Sequence, residues 1–203
     1  MTADARPVLV LATRNPGKVR ELRALLGDLP LEVKSLLDFP DVPPPTEEGT
    51  TYAENAIAKA QAIASATGLV ALADDSGLDV DALDGAPGPW SNRWLGEEAS
   101  DADRNAALLE RLREVAPERR TARFRAVVAI AHPDGRVRTF DGAVEGRIAD
   151  RPAGHEGFGY DPIFLVKGEG RTMAELGMAT KNRISHRAKA VQAARTYLAM
   201  RER

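Results

Sequence analysis

Residues 7–18 read Pro-Val-Leu-Val-Leu-Ala-Thr-Arg-Asn-Pro-Gly-Lys. Pro7 to Thr13 is an apolar run of the kind that forms a buried strand. Asn15 suits a helix N-cap and Pro16 the first helical position. Val19, Leu22, Leu25 and Leu26 then recur at helical spacing until Gly27. A buried strand that hands directly to an amphipathic helix is the opening of an α/β unit.

The alternation continues outward from this point. Leu31 to Leu36 reads as a second strand. Residues 38–50 contain Pro40, Pro43, Pro44 and Pro45 and form a loop. Thr51 and Glu54 have the spacing of a capping box, opening a long helix with Ala53, Ala56, Ile57, Ala60 and Ala64 on its apolar stripe. Leu69 to Ala73 is a buried strand that Asp74-Asp75-Ser76-Gly77 is expected to end. Residues 85–89, Gly-Ala-Pro-Gly-Pro, are loop, and residues 101–115 a helix. Residues 121–131 and 136–144 are strands around a hairpin turn at His132-Pro133-Asp134-Gly135. Pro162 to Val166 is a short strand. Ile184, Ala188, Val191, Ala194 and Leu198 recur at three- to four-residue spacing in a last helix, with Ser185 as its cap. The pattern predicts an α/β fold with a mixed sheet.

Composition limits the function. The chain has 203 residues, 43% of them hydrophobic and 29% charged, as in a globular protein of one domain. With no cysteine, a disulfide scaffold, a cysteine zinc site and a thiol nucleophile are excluded. No apolar run approaches the ~20 residues that span a bilayer. Met1 to Pro7 lead straight into a strand, so no signal peptide is read there. The formal net charge of −2 argues against non-specific nucleic-acid binding. That total hides a split: residues 1–100 hold 8 basic and 16 acidic side chains, residues 101–203 hold 20 and 14.

Four segments carry candidate chemistry. Thr13-Arg14-Asn15-Pro16-Gly17-Lys18 lies where a strand meets a helix, whose N-terminal amides and dipole favour an anion. It lacks the spacing of a Walker A loop or a dinucleotide fingerprint. Asp74 and Asp75, at a strand end, could hold Mg²⁺ or polarise a water, provided the chain turns between them. Glu47 and Glu48 lie in the proline-rich loop, where either could reach a metal, and Lys59 is a candidate phosphate contact. Gly157-Phe158-Gly159-Tyr160-Asp161-Pro162 is a shaped loop, in which a purine could stack on Phe158 or Tyr160. Lys181-Asn182-Arg183-Ile184-Ser185-His186-Arg187 crowds cations at a helix start, against the dipole, where an acceptor-rich ligand would relieve them.

In this order, the segments resemble the Ham1-type inosine triphosphate pyrophosphatase family. The likeness rests on LATRNPGKVREL, EEGTTYAENAIAKA, ALADDSGLDVDAL, GAPGPWSNRW, PAGHEGFGYDPIF and KNRISHRAKA, in register over nearly the whole chain. It implies an elongated mixed sheet flanked by helices, in one domain of two lobes with the active-site cleft between them, and a cytoplasmic homodimer. It also implies Mg²⁺-dependent hydrolysis of ITP, dITP and XTP to the monophosphate and pyrophosphate. By residue, Thr13 to Lys18 would bind phosphates with Lys59 in support. Glu47 and Asp75 would serve the metal, with Asp74 adjacent, and Asp75 would be the general base. Ser76 would contact substrate, while Phe158, Gly159, Tyr160, Asp161, Lys181, His186 and Arg187 would build the base pocket. The family's Glu-Thr-Gly is Glu47-Glu48-Gly49 here, and position favours Glu47. A Maf-like pyrophosphatase and a non-hydrolysing nucleotide sensor are the rival readings.

Overall fold

A computed structural model describes residues 6–199. In chain order its elements are β1 (Val8–Leu11), α1 (Pro16–Leu26), β2 (Glu32–Ser35), α2 (Tyr52–Thr67), β3 (Val70–Val80) and β4 (Pro87–Gly88). Then come α3 (Asp101–Arg111), β5 (Thr121–Ala131), β6 (Val137–Ile148), β7 (Phe164–Val166), α4 (Gly177–Ile184) and α5 (His186–Ala199), with short 3₁₀ turns between elements. The strand order is β2-β1-β3-β5-β6-β7, and β4 pairs with β3. β1 runs parallel to both neighbours, Val10 facing Lys34 on β2 and Ala71 on β3, whereas β7 is antiparallel to β6. The expected α/β fold with a mixed sheet flanked by helices is therefore what forms.

The chain divides into two compact units. The first holds the chain up to Asp75, Val127–Asp141 and the segment from Ala190 on; the second holds Ser76–Ala126 and Gly142–Lys189.

In the first unit, Asn15 caps α1, its side chain accepting from the backbone N–H groups of Gly17 and Lys18, and Val19, Leu22 and Leu26 are buried. Thr51 and Glu54 form both arms of the capping box on α2. That helix buries Ala56, Ala60, Ile63 and Ala64 against Val10, Ala71, Ala73, Val127 and Ala129. Small alanines allow close approach of helix to sheet, so the helix brings its polar residues Asn55 and Lys59 inside as well.

In the second unit the core gathers Leu78, Val80, Leu108, Phe124, Ile148, Tyr160, Ile163 and Phe164. Several arginines between 104 and 125 pair with acids of this unit. Arg120 meets Asp150 at 2.9 Å, Arg123 meets Asp81 at 2.9 Å and Glu145 at 3.3 Å, and Arg104 meets Asp101 at 3.3 Å. Arg111 lies over the Trp94 ring at 4.3 Å. Of these pairs, Arg123–Asp81 is the one that joins the basic half of the sequence to the acidic half.

Some element boundaries differ from expectation. β3 does not stop at Ala73: it continues through Asp74-Asp75-Ser76-Gly77 to Val80, because Leu78 and Val80 are fully buried and Leu78 pairs with Gly88 of β4. α3 ends at Arg111, and β6 extends to Ile148. Ser185 ends α4 and, as expected, caps the last helix, its Oγ accepting from the Ala188 N–H at 3.1 Å, but Ile184 lies in α4 and not in that helix. Lys181 and Arg183 therefore lie in the last turn of α4, where the dipole favours cations, and only His186 and Arg187 open a helix. Among the described residues no helix is long and apolar enough to cross a membrane.

Candidate active site

The first unit builds a buried cluster of two lysines and three carboxylates. β3 carries Asp74 and Asp75 side by side, and no turn separates them. Instead α1 and α2 each deliver a lysine. Lys18 Nζ lies 3.0 Å from Asp74 Oδ2 and donates to the Asp74 carbonyl at 3.1 Å. Lys59 Nζ lies 2.6 Å from Asp75 Oδ1 and 2.7 Å from Glu47 Oε1, and also donates to the Asp74 carbonyl. Glu47, half-buried in the proline-rich loop, therefore joins the cluster, while Glu48 is exposed. Lys18, Lys59, Asp74 and Asp75 are each at most 5% exposed.

Burial pushes the Asp75 carboxyl above the usual carboxylate range, more than Lys59 and Lys18 pull it down. Burial would lower the Lys59 ammonium, but Asp75 and Glu47 outweigh it and hold its pKa above the ordinary lysine value. The site therefore holds a charged lysine against a carboxyl primed to take a proton.

Sequence marks Asn55 as the helix neighbour of Lys59 and assigns it no role. It is fully buried, donates to Asp75 Oδ2 at 3.3 Å and accepts from the Gly49 N–H at 2.8 Å. It thus ties the Glu47 loop to Asp75. The available signal was its place four residues before Lys59, on the same helix face.

The strand-to-helix segment differs from expectation in one respect. The Gly17 and Lys18 amides that would cradle a phosphate are occupied by the Asn15 cap. Thr13 Oγ1 accepts from Asn15 N, and Arg14 is exposed and donates to the Val42 carbonyl at 2.8 Å, bracing the proline-rich loop. Of the segment Thr13–Lys18, Lys18 is the residue that reaches the carboxylates.

The second unit gathers most of the residues read as a base pocket. The Phe158 ring lies 4.6 Å from Lys181 Nζ and 5.5 Å from the Arg187 guanidinium carbon. Lys181 pairs with Asp161, whose carboxylate also accepts from Phe158 N at 2.9 Å. Arg187 donates to Ser76 Oγ at 2.8 Å, and the His186 ring stacks on Phe124 with centroids 4.8 Å apart. Gly157 is required here: its φ is +83° and a Cβ would fall 2.0 Å from Asp161 Oδ2. Tyr160 is 4% exposed and donates its hydroxyl to the Ser91 carbonyl at 3.0 Å. Of the two rings in the loop, Tyr160 is buried and Phe158 half-buried.

Known proteins resemble this chain in sequence and in fold. The model of the Ham1 family matches residues 9–197. The dITP/XTP pyrophosphatase of Geobacter sulfurreducens is 53% identical over 190 residues, covering 94% of this chain and 96% of that protein. The dITP/XTP pyrophosphatase of Thermus thermophilus is 52% identical over 185 residues, covering 91% and 88%. Among solved structures, a HAM1 protein from Coxiella burnetii superposes with a TM-score of 0.87 at 43% identity, covering 96% of this chain and 99% of that one.

Proposed function

The chain belongs to the Ham1 family, and on that premise we propose that it hydrolyses the non-standard purine nucleoside triphosphates ITP, dITP and XTP to the monophosphate and pyrophosphate. The observation that carries this is the buried Lys18–Asp74 and Glu47–Lys59–Asp75 cluster, which has the charges a triphosphate and a divalent cation need. The cell gains a nucleotide pool cleared of bases that would enter DNA or RNA. The chain is taken as one enzymatic domain of two units, active as a cytoplasmic homodimer, with a small nucleotide rather than nucleic acid or membrane as its partner.

The donor set fits Mg²⁺. It consists of carboxylate oxygens, the hard ligands this ion takes. Asp75 Oδ1 and Glu47 Oε1 already converge on one cation, the Lys59 ammonium, at 2.6 and 2.7 Å. Glu47 and Asp75 would hold the ion, with Asp74 adjacent. Bound there with the nucleotide, Mg²⁺ would neutralise phosphate charge that otherwise repels a nucleophile.

The chain's own residues supply the remaining chemistry. Lys18 and Lys59 exchange carboxylate for phosphate oxygens and fix the triphosphate without covalent chemistry. Asp75 Oδ accepts a proton from the water that attacks the α-phosphorus. Asn55 keeps that carboxylate oriented. Pyrophosphate leaves. Phe158 offers its face to the base, while His186 and Arg187 supply donors for the 6-oxo group of hypoxanthine or xanthine. Adenine presents an amino donor at that position, leaving buried donors opposed to a donor. Sites of this design discriminate by roughly 10⁴-fold.

Pyrophosphate release from ITP, XTP, dITP, GTP and ATP, with Mg²⁺ and with EDTA, tests the proposal. It predicts fast release from the first three, slow release from the last two and none in EDTA. Equal rates on ATP and ITP, or preference for a pyrimidine triphosphate, would replace it with the Maf-like alternative.

A further inference from the structure

We infer that Asp101 and Asn105 of α3 are positioning residues for base recognition, acting through the backbone of Gly159. This rests on the base-pocket role just proposed for Phe158 and goes beyond it to residues outside the matched motifs.

The loop that carries Phe158 has three glycines at positive φ: Gly154 at +82°, Gly157 at +83° and Gly159 at +64°. Such a loop has much conformational freedom to lose, so its native shape needs specific restraints. Its two ends are held within the second unit. Glu156 N donates to the Ala174 carbonyl and Ala153 N to the Pro162 carbonyl. Its middle, however, borders a solvent-open pocket of about 540 Å³ whose walls include Asp101, Asn105, Leu109, His155, Phe158 and Gly159. Apolar packing therefore does not fix the loop on that side.

Two hydrogen bonds do. Asp101 Oδ2 accepts from Gly159 N at 2.7 Å, and Asn105 Nδ2 donates to the Gly159 carbonyl at 3.1 Å. The two residues are four apart and share one face of α3. Together they hold both backbone groups of the residue after Phe158, and so fix the peptide planes on either side of Gly159. The Phe158 ring, set against Lys181 and Arg187, inherits that placement.

Asp101 also meets Arg104 on its own helix, through Oδ1 at 3.3 Å, which leaves Oδ2 to Gly159. α3 is capped by Ser100 and Asp103, which form both arms of the capping box, so the helix start does not depend on Asp101. Asn105 is 5% exposed, and its Oδ1 is buried with no hydrogen-bond partner. A leucine of similar size would avoid that orphaned oxygen, which makes asparagine a poor choice for packing alone.

The test compares Asp101→Ala, Asp101→Asn and Asn105→Leu with the wild type, by loop hydrogen exchange, thermal stability and kinetics on ITP and ATP. Expected in Asp101→Ala and Asn105→Leu are faster amide exchange across residues 154–161, unchanged protection of α3, and KM for ITP raised about tenfold with kcat within about twofold. Asp101→Asn, which keeps an acceptor for Gly159 N, should stay near wild type. Asn105→Leu should keep wild-type stability while its KM rises. Loop exchange as slow as in the wild type would overturn the clamp. Faster exchange with unchanged KM would overturn its positioning role. A wild type that releases no pyrophosphate would instead defeat the functional proposal, and loop exchange would still judge the clamp.

Discussion

Lys59→Met removes a buried cation that Asp75 and Glu47 share. Its Nζ lies 2.6 Å from Asp75 and 2.7 Å from Glu47, and its side chain is 5% exposed. The Glu47 side chain is 27% exposed, so water takes over much of its solvation and its share is small. Asp75, with a side chain 4% exposed, is left buried with the Asn55 amide and the more distant Lys18 charge. Breaking a buried pair from one side costs about 3–5 kcal/mol, and the remaining Asn55 contact places this case near about 3 kcal/mol. For a chain of this size that lowers Tm by about 6–12 °C. The loss depends on pH with a fixed sign. Asp75 already has a folded pKa above the usual 3.8, and removing Lys59 raises it further. The variant's deficit is therefore full above that raised value and shrinks as pH falls through it, because a protonated Asp75 no longer needs a cation. Calorimetry on both proteins from about pH 8 downwards measures this. A Tm change under about 2 °C, or a deficit equal at every pH, would refute the assignment of Lys59 as the counter-ion of a buried Asp75.

Asp75→Asn should cut pyrophosphate release from ITP by about 10³-fold, within the range of general-base losses, with an unchanged circular dichroism spectrum; retained turnover would remove Asp75 from the chemistry. Arg187→Ala should reduce the preference for ITP over ATP far more than it weakens inhibition by pyrophosphate, and equal losses on both nucleotides would contradict a base-pocket role. Tyr160→Phe leaves the buried Ser91 carbonyl without its donor, so stability should fall by about 1–2 kcal/mol in urea denaturation, while kcat stays at the wild-type value.

The legible parts of the fold were those written in local signals. Asn15-Pro16 and Thr51-x-x-Glu54 are caps whose hydrogen bonds close within three residues, so they appear in the sequence where they appear in space. β3 was misjudged because Asp and Gly are poor strand residues. What lets the strand continue is tertiary: lysines from α1 and α2 neutralise its carboxylates, and β4 pairs with its far end. The same reason hid the role of Asn55, whose partners Asp75 and Gly49 come from β3 and the proline-rich loop. Ser185 is legible as a cap, accepting from the Ala188 N–H three residues on, whereas the apolar spacing that starts at Ile184 runs across it and hides α4, which ends where Ser185 turns extended with ψ of 162°. Arg120 and Arg123 have no reading in sequence, since their partners Asp81, Glu145 and Asp150 are 22 to 42 positions away.

Hydrolysis of ITP in ¹⁸O-enriched water tests the central claim most directly. Attack at the α-phosphorus by the water that Asp75 activates places the label in inosine monophosphate and leaves the pyrophosphate unlabelled. Label in the pyrophosphate, or release of orthophosphate in its place, would show that water attacks elsewhere on the chain and would contradict the account.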